Sequence, residues 1–414
     1  MKAYESMVLN NGLRVFLHED PLTPLVAVNI MYKVGAADEQ STLTGLAHFL
    51  EHMMFTGTAQ FPNYDDPLQY AGGDSNAYTS SDVTSYHAQL PAENLSVLLA
   101  LEADRMNNLI LGESAFLTQK NVILEEFKEQ YLMKPYGDLW PTVLQTQYNE
   151  NHPYSWMPIG KDLEAIRNIA LTDLHTFYKQ YYHPQNACLA IAGNKSIEEM
   201  KSLVEKYFNE VKPKIAQERI APKFDNVQQS EVQSVILRGK VAEPLVLWTM
   251  KMPAMFAKTY YIAEFWLHYL DAEESSPLYE YLVLEKELLT DVSAYHSGAV
   301  HEGVFAIELR GVEEDRMDEL SRLVQIKLKE IFLKGMSANA QKSILNKIKT
   351  SMLFEELSIE NKAHNMAYYG LLGQTAHYEN ELKEYESITQ EEINHWGKEV
   401  IGNFVYNIFY YLPE

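Results

Sequence analysis

Hydrophobic and polar positions alternate with period two at the start of the chain and later change to a helical period. Alternation on both sides of Asn10-Asn11-Gly12 predicts a β-hairpin with strands from Tyr4 to Leu9 and from Leu13 to His18. The further predicted elements are a strand over 24–34, a helix over 43–55, strand-like alternation over 72–90, helices over 91–111, 115–131, 139–147 and 171–182, a buried strand over 187–193, and a helix over 196–211. Strands and helices are therefore interleaved.

A polar stretch divides the chain near its middle. Between Lys212 and Gln233 the sequence contains Pro213, Pro222 and few large apolar residues, a composition typical of an interdomain linker. We therefore expect an N-terminal domain over 1–212, a linker over 213–233 and a C-terminal domain over 234–414.

The second half of the chain repeats the order of patterns in the first. Pro24-Leu25-Val26 and Pro244-Leu245-Val246 each begin a strand, and the helical segments 47–52 and 263–268 follow. The offsets are 244 − 24 = 220 and 263 − 47 = 216, which differ by one four-residue loop. The repeat predicts an α+β fold of two duplicated domains, each an antiparallel-rich sheet packed with helices. The alternative is two unrelated units that both begin with a strand and a helix.

Composition and charge narrow the function classes. The 414 residues carry 34 Lys plus Arg against 57 Asp plus Glu, a net charge of -23, which disfavours nucleic acid and anionic membrane surfaces as partners. The one cysteine, Cys188, lies in an apolar run and is predicted to be buried; it excludes an intrachain disulfide or a cysteine-based zinc site. The chain shows neither a secretory leader nor a transmembrane run, so we expect a cytoplasmic location.

The segment 45–55 carries the chemistry. His48 and His52 are four residues apart, so on a helix both imidazoles lie on one face and can reach the same ion. Glu51 shares that stripe, whereas apolar residues occupy the opposite side. Two imidazoles leave zinc short of the three protein ligands of a catalytic site.

The helical stretch 116–131 is the best source of the third ligand. Its acids Glu125, Glu126 and Glu129 compete for that role. On a helical projection Glu126 lies at the edge of the buried face, whereas the other two point to the opposite side. We therefore favour Glu126.

These features, with the run Gly72-Gly73-Asp74-Ser75-Asn76-Ala77-Tyr78-Thr79-Ser80, closely resemble the pitrilysin and insulinase family of metallopeptidases, which includes the mitochondrial processing peptidases. The resemblance covers essentially the whole chain and is strongest over 1–212. It implies zinc on His48, His52 and Glu126, and Glu51 as general base. It also implies a substrate-binding edge strand, whose residues here are Asn76, Ala77, Tyr78 and Thr79. From the residues alone, Glu51 could instead orient a histidine, and Asn76 and Tyr78 could be a turn residue and a half-buried strand aromatic.

The chain departs from the family at several positions. Family members often carry a glutamate where this chain has Gln119, and the second-half helix has Glu264, Leu267 and His268 in place of the ligand set. Val283 and Thr290 stand where related proteins use an Arg and a Tyr to hold the substrate. An identical second chain would lack that pair too, so the resemblance favours a heterodimer with a related subunit over a homodimer.

We expect a zinc-dependent endopeptidase that cuts extended peptides or unfolded segments. Two alternatives stay open: a non-catalytic partner or assembly subunit of a processing-peptidase-like complex, and a metal hydrolase acting on small amides. The histidines without ligand spacing are interpreted as solvated or core residues; they are His296, His301, His364, His377 and His395.

Overall fold

The computed structural model describes residues 4–212, 232–271, 275–403 and 405–414. In the first half the strands and helices are β1 Glu5–Val8, β2 Arg14–Glu19, β3 Leu25–Tyr32, α1 Leu46–Met53, α2 Asp65–Tyr70, β4 Asp74–Thr79, β5 Thr84–Pro91, α3 Leu95–Asn108, α4 Glu113–Phe127, α5 Leu139–Gln147, α6 Leu163–Asn168, α7 Leu171–Tyr181, β6 Ala187–Gly193 and α8 Ile197–Phe208. In the second half they are β7 Gln233–Gly239, β8 Leu245–Met252, α9 Lys258–Leu270, α10 Pro277–Tyr279, β9 Asp291–Ser297, β10 Gly303–Arg310, α11 Met317–Lys334, α12 Ala338–Glu355, α13 Ile359–Leu372, α14 Thr375–Ser387, α15 Gln390–Gly402 and β11 Asn407–Pro413.

The predicted elements of the first half are confirmed in type and position. β1 and β2 form the predicted antiparallel hairpin, and the predicted helix over 139–147 and strand over 187–193 coincide with α5 and β6. The helices α2 and α6, of six residues each, were not predicted. Six residues are too few to show a helical period.

Two sheets confirm the predicted α+β duplication. The first has the strand order β1-β2-β6-β3-β5-β4 and the second β7-β11-β8-β10-β9. Five strands correspond in each: the first pair is parallel, β2 with β6 and β7 with β11, and the next three pairs are antiparallel. The central strands β3 and β8 are offset by 245 − 25 = 220 residues, as the sequence repeat predicts.

The chain forms two compact units, each built from separate stretches of sequence. The first contains Met1–Lys128, Asn151–Phe224 and Met352–Glu379, and the second contains Glu129–Glu150, Asp225–Ser351 and Asn380–Glu414. The predicted linker over 213–233 lies almost wholly outside the described residues. The predicted boundaries, 1–212 and 234–414, therefore stay a prediction.

Helices cover both faces of the first sheet. Helix α1 lies against β4 and β5, and α13 lies against β2, β3 and β6. At Gly370 the backbone of α13 comes so close to the sheet that an added Cβ would collide with Phe16 and with the Cys188 sulfur. Cys188 is fully buried, as predicted, and burial raises the pKa of its thiol to about 12.

Candidate metal centre

Helix α1 presents the two histidines and is fixed by contacts on its apolar side. Its buried residues are Leu46, Ala47, Phe49, Leu50 and Met53. The ring of Phe49 stacks on that of Phe116 in α4, with centroids 5.2 Å apart. This contact sets the distance between the two helices that carry the candidate ligands.

The beginning of α1 is held by a buried acid that the sequence analysis did not single out. The Glu39 carboxyl group accepts hydrogen bonds from the backbone N–H groups of Gly45 and Ala47, both at 2.8 Å. Gly45 has φ +96°, and an added Cβ would lie 2.6 Å from the carbonyl oxygen of Ile159. Glycine is therefore needed at this turn, and Glu39 satisfies two of the free N–H groups of the helix end.

Three predicted ligands converge. The Nε2 atom of His48 lies 3.9 Å from Oε1 of Glu126, and the Nε2 atom of His52 lies 3.5 Å from Oε2. The exposed fraction of the side chain is 13% for His48, 22% for His52 and 28% for Glu126. In the described part of the chain, no other group of three or more His, Cys, Asp or Glu side chains brings its ligand atoms within 4.8 Å of one another.

The two competing acids lie away from the imidazoles, Glu125 on α4 and Glu129 in the helical segment 128–133 that follows it. Glu125 is exposed and bonds to Lys128 at 2.6 Å, and Glu129 is also exposed. Of the three acids, Glu126 is the one that lies beside the two imidazoles, and its role as a metal ligand stays a prediction.

The donor set fits zinc. Zinc binds imidazole nitrogen and carboxylate oxygen at about 2.0–2.2 Å, so two ligand atoms in a tetrahedral site lie roughly 3.4 Å apart. The nitrogen-to-oxygen distances are 3.5 Å for His52 and 3.9 Å for His48, the first close to that value and the second somewhat longer. Burial, together with the neighbouring His52, lowers the pKa of His48 to about 4. The ring of His48 is thus neutral at pH 7, the form that binds a metal.

Hydrogen bonds outside the triad orient one of the two rings. Gln119 places its Oε1 atom 3.2 Å from Nδ1 of His52; an amide oxygen there accepts the Nδ1 proton and leaves Nε2 toward Glu126. Burial acts to lower the pKa of His52, but the hydrogen bonds to Glu126 and Gln119 outweigh it, and the pKa is raised. The Nδ1 atom of His48 has no hydrogen-bond partner among the described residues.

Glu51 lies beside the triad and contacts the edge strand. Thr79 donates a hydrogen bond to Oε2 of Glu51. Burial raises the pKa of Glu51, although the hydrogen bond from Thr79 opposes the shift. In Glu126 the hydrogen bond from His52 is the strongest influence and lowers the pKa of the carboxyl group. The environment thus raises the pKa of Glu51 and lowers that of Glu126.

The segment 76–79 forms most of β4, which is the edge strand of the first sheet. Thr79 faces α1 through its hydrogen bond to Glu51, and Tyr78 points to the opposite face, where its hydroxyl lies 2.7 Å from Nε2 of His364. Asn76 is exposed, and its side-chain oxygen accepts a hydrogen bond from the N–H of Ala77. The sequence analysis did not connect His364 with this strand, because 286 positions separate it from Tyr78.

The second unit has a different arrangement at the corresponding helix. Glu264 on α9 pairs with Nε2 of His296 at 2.6 Å, and Tyr385 donates a hydrogen bond to the other oxygen of Glu264 at 3.2 Å. Thr290 donates its backbone N–H to the carbonyl of Arg310 at 2.9 Å, and Val283 lies in a short helical segment, 280–285. Neither side chain offers the positive charge or the phenol that the resemblance associates with these positions.

Comparison with known proteins agrees with the resemblance. A family model described as insulinase (peptidase family M16) matches residues 14–153, and one described as the peptidase M16 inactive domain matches 168–348. In the described residues, no helix is both long and apolar enough to cross a membrane.

Two curated relatives match over most of their length. The zinc protease PqqE of Helicobacter pylori is 27% identical over 382 residues, which cover 88% of this chain and 86% of that protein. The uncharacterized zinc protease YmxG of Bacillus subtilis is 26% identical over 393 residues, which cover 93% and 92%. A solved structure of a protease from Helicobacter pylori superposes with a TM-score of 0.91 at 25% identity and covers both chains completely. The chain belongs to the pitrilysin and insulinase family of peptidases, family M16.

Proposed function

We propose that this protein is a zinc-dependent endopeptidase that hydrolyses extended peptides or unfolded segments. The observation that carries the proposal is the convergence of His48, His52 and Glu126, with the Glu51 carboxyl group beside them. Both curated relatives reported above are named zinc proteases, which supports the same activity here.

Each residue of the site has a separate role. His48, His52 and Glu126 would hold the metal, the histidines through nitrogen and Glu126 through a carboxylate oxygen. A bound zinc ion supplies Lewis acidity and lowers the pKa of water to about 7. Glu51 takes a proton from the attacking water and delivers it to the amide nitrogen as the C–N bond breaks. The burial that raises the pKa of Glu51 makes it a stronger base than an exposed carboxylate.

The edge strand β4 supplies a binding surface for the substrate. In the described part of the chain β5 is the one strand that pairs with β4, so the outer edge of β4 can accept a further strand. On that edge the N–H of Ala77 is bonded to the side-chain oxygen of Asn76, a bond that a pairing peptide would replace. An extended peptide can pair with Asn76, Ala77, Tyr78 and Thr79 through main-chain hydrogen bonds, which give affinity with little sequence preference. Thr79 lies both on this strand and against Glu51, so the paired peptide would run past the general base.

A related but different chain is the proposed partner. Val283 and Thr290 cannot supply the charge and phenol that the resemblance expects, and a second copy of this chain would have the same two residues. We therefore propose a heterodimer in which the related subunit contributes the missing groups.

A non-catalytic role in such an assembly is the second candidate. It is favoured by Val283, Thr290 and Gln119, the positions at which the chain departs from the family pattern. The intact set of His48, His52, Glu126 and Glu51 speaks for catalysis.

Metal analysis combined with peptide cleavage tests the proposal. Wild type and Glu51→Gln are loaded with zinc and incubated with quenched fluorogenic peptides of graded length, with and without a related subunit. Glu125→Gln is the matched control, because Glu125 is an exposed acid on the same helix as Glu126. We expect all three proteins to bind one zinc ion, and Glu51→Gln to lose turnover by about 10²- to 10⁴-fold.

The other outcomes are equally informative. Full activity of Glu51→Gln would refute its role as general base. Zinc binding without cleavage by wild type, even with the related subunit present, would favour the non-catalytic candidate. Turnover of single amides but not of longer peptides would point to a small-substrate hydrolase.

A further inference from the structure

His364 is placed in the first unit by a helix from the second half of the sequence. Helix α13 contributes buried Ala363, Met366 and Ala367 to the packing against the sheet. The close approach at Gly370 leaves α13 little freedom to shift over the sheet. His364 therefore stands on a rigid support, unlike a histidine on a surface loop.

The hydrogen bond between His364 and Tyr78 has a defined direction. The Nδ1 atom of His364 lies 3.3 Å from Oδ1 of Asn365; that oxygen can accept but not donate, so the ring proton belongs on Nδ1. Nε2 is then the acceptor of the Tyr78 hydroxyl proton at 2.7 Å. Burial lowers the pKa of His364 and raises the pKa of Tyr78 to about 12. Both groups are neutral at pH 7, as this direction requires.

The two neighbouring residues of β4 are thus held from opposite faces of the sheet. Thr79 is bonded to Glu51 on the α1 face, and Tyr78 is bonded to His364 on the α13 face. Successive side chains of a strand point to opposite faces, so these two bonds restrain both the tilt and the twist of β4. An edge strand, paired on one side alone, is where such restraint matters most.

We propose that His364 is a positioning residue for substrate binding, which holds the edge strand β4 in the orientation that an extended peptide pairs with. The inference rests on the proposed function, because it assumes that peptides bind along β4. His364 does not touch the peptide or the metal ligands; it acts through Tyr78.

The experiment measures KM and kcat of the full chain on a long fluorogenic peptide, with and without the related subunit, together with amide hydrogen exchange of the full chain. His364→Ala and Tyr78→Phe should each raise KM by about fivefold, the equivalent of one neutral hydrogen bond, and leave kcat within about twofold. The double variant should raise KM no further than either single variant, because both changes remove the same bond. His364→Gln keeps an acceptor near the position of Nε2 and should recover most of the affinity.

Hydrogen exchange gives a readout that does not depend on activity. His364→Ala should speed exchange of the β4 amides by at least about threefold, whereas the amides of β3 and β6 keep their wild-type rates. His395→Ala is the control, because His395 is an exposed histidine paired with Glu399 on another helix. It should change neither KM nor exchange.

The outcomes separate the two proposals. An active wild type with an unchanged KM and unchanged β4 exchange in His364→Ala would overturn the inference. A rise in KM accompanied by a loss of thermal stability, neither of which His364→Gln reverses, would also overturn it, since both changes together indicate general damage to packing. A wild type that cleaves no peptide even with the related subunit present would refute the proposed function, and the exchange rates would then decide whether His364 anchors β4.

Discussion

Replacing Glu39 by Gln should flatten the pH dependence of the protein's stability. Glu39 is buried at the beginning of α1, where it accepts hydrogen bonds from Gly45 and Ala47. Burial raises its pKa from 4.5 to about 8, because desolvation of the carboxylate outweighs the stabilisation from those N–H groups. At neutral pH the folded protein therefore keeps most of this carboxyl group protonated, whereas the unfolded chain ionises it.

The sign and size of the effect follow from proton linkage. The folded state binds more protons than the unfolded state between the two pKa values, so the free energy of unfolding falls as pH rises through that window. The contribution of Glu39 is fully present below the unfolded pKa of 4.5 and is lost as pH approaches about 8. At about 1.36 kcal/mol per pKa unit, the loss between about pH 5 and about pH 7.5 comes to about 3 kcal/mol.

Urea unfolding of wild type and Glu39→Gln, with the metal removed by a chelator, measures this difference. The variant should be less stable than wild type at about pH 5, because its amide NH₂ group cannot accept from a backbone N–H and one hydrogen bond is lost, at a cost of about 1–3 kcal/mol. The difference in the free energy of unfolding between wild type and Glu39→Gln should narrow, or change sign, toward about pH 7.5. Glu125→Gln, at an exposed acid, should follow wild type at every pH. If the free energy of unfolding of wild type and of Glu39→Gln changed in parallel with pH, the reasoning would be refuted.

Three further perturbations test other parts of the structure. Gln119→Ala removes the acceptor that orients His52 and should weaken zinc affinity by about 10- to 100-fold, measured by competition with a chelator; an unchanged affinity would show that the ring needs no such support. Gly370→Ala forces a methyl group into the sheet beneath α13 and should destabilise the protein by about 1–3 kcal/mol in urea unfolding, which a wild-type unfolding midpoint would contradict. Glu102→Gln breaks the buried pair with Arg105, whose Nη2 lies 2.6 Å from the carboxylate, and should cost about 3–5 kcal/mol; a cost below about 1 kcal/mol would mean that the surrounding aromatic rings hold the guanidinium unaided.

The sequence predicts those features of the fold that repeat with a short period. Strand β6 is a continuous apolar run, β3 is apolar except for Asn29, and α1 shows its apolar stripe within eight residues. Two short sequence matches predict the duplication, because each matched pair occupies the same place among the five strands that correspond in the two sheets. The metal triad could be predicted because two of its members lie one helical turn apart and the third lies on a second amphipathic helix.

Other features depend on contacts that no local pattern contains. Glu39 lies in a loop, and nothing in its immediate sequence distinguishes it from the exposed acids of the chain. His364, interpreted from the sequence as a solvated or core histidine, acquires its partner Tyr78 because α13 crosses over to the first sheet. The membership of α13 in the first unit is itself a long-range feature, since its amphipathic period does not indicate which sheet it covers.

The close contact between α13 and Cys188 makes the lone thiol a natural reporter of chain integrity. A fragment that stops near residue 233 would lack the helix that covers β2, β3 and β6, and would leave a wide apolar face open to water. In such a fragment the sulfur would become available to alkylating reagents, whereas in the whole chain its burial protects it. A single truncation of the gene therefore cannot yield the first unit alone, because that unit includes residues 352–379 from the second half of the chain.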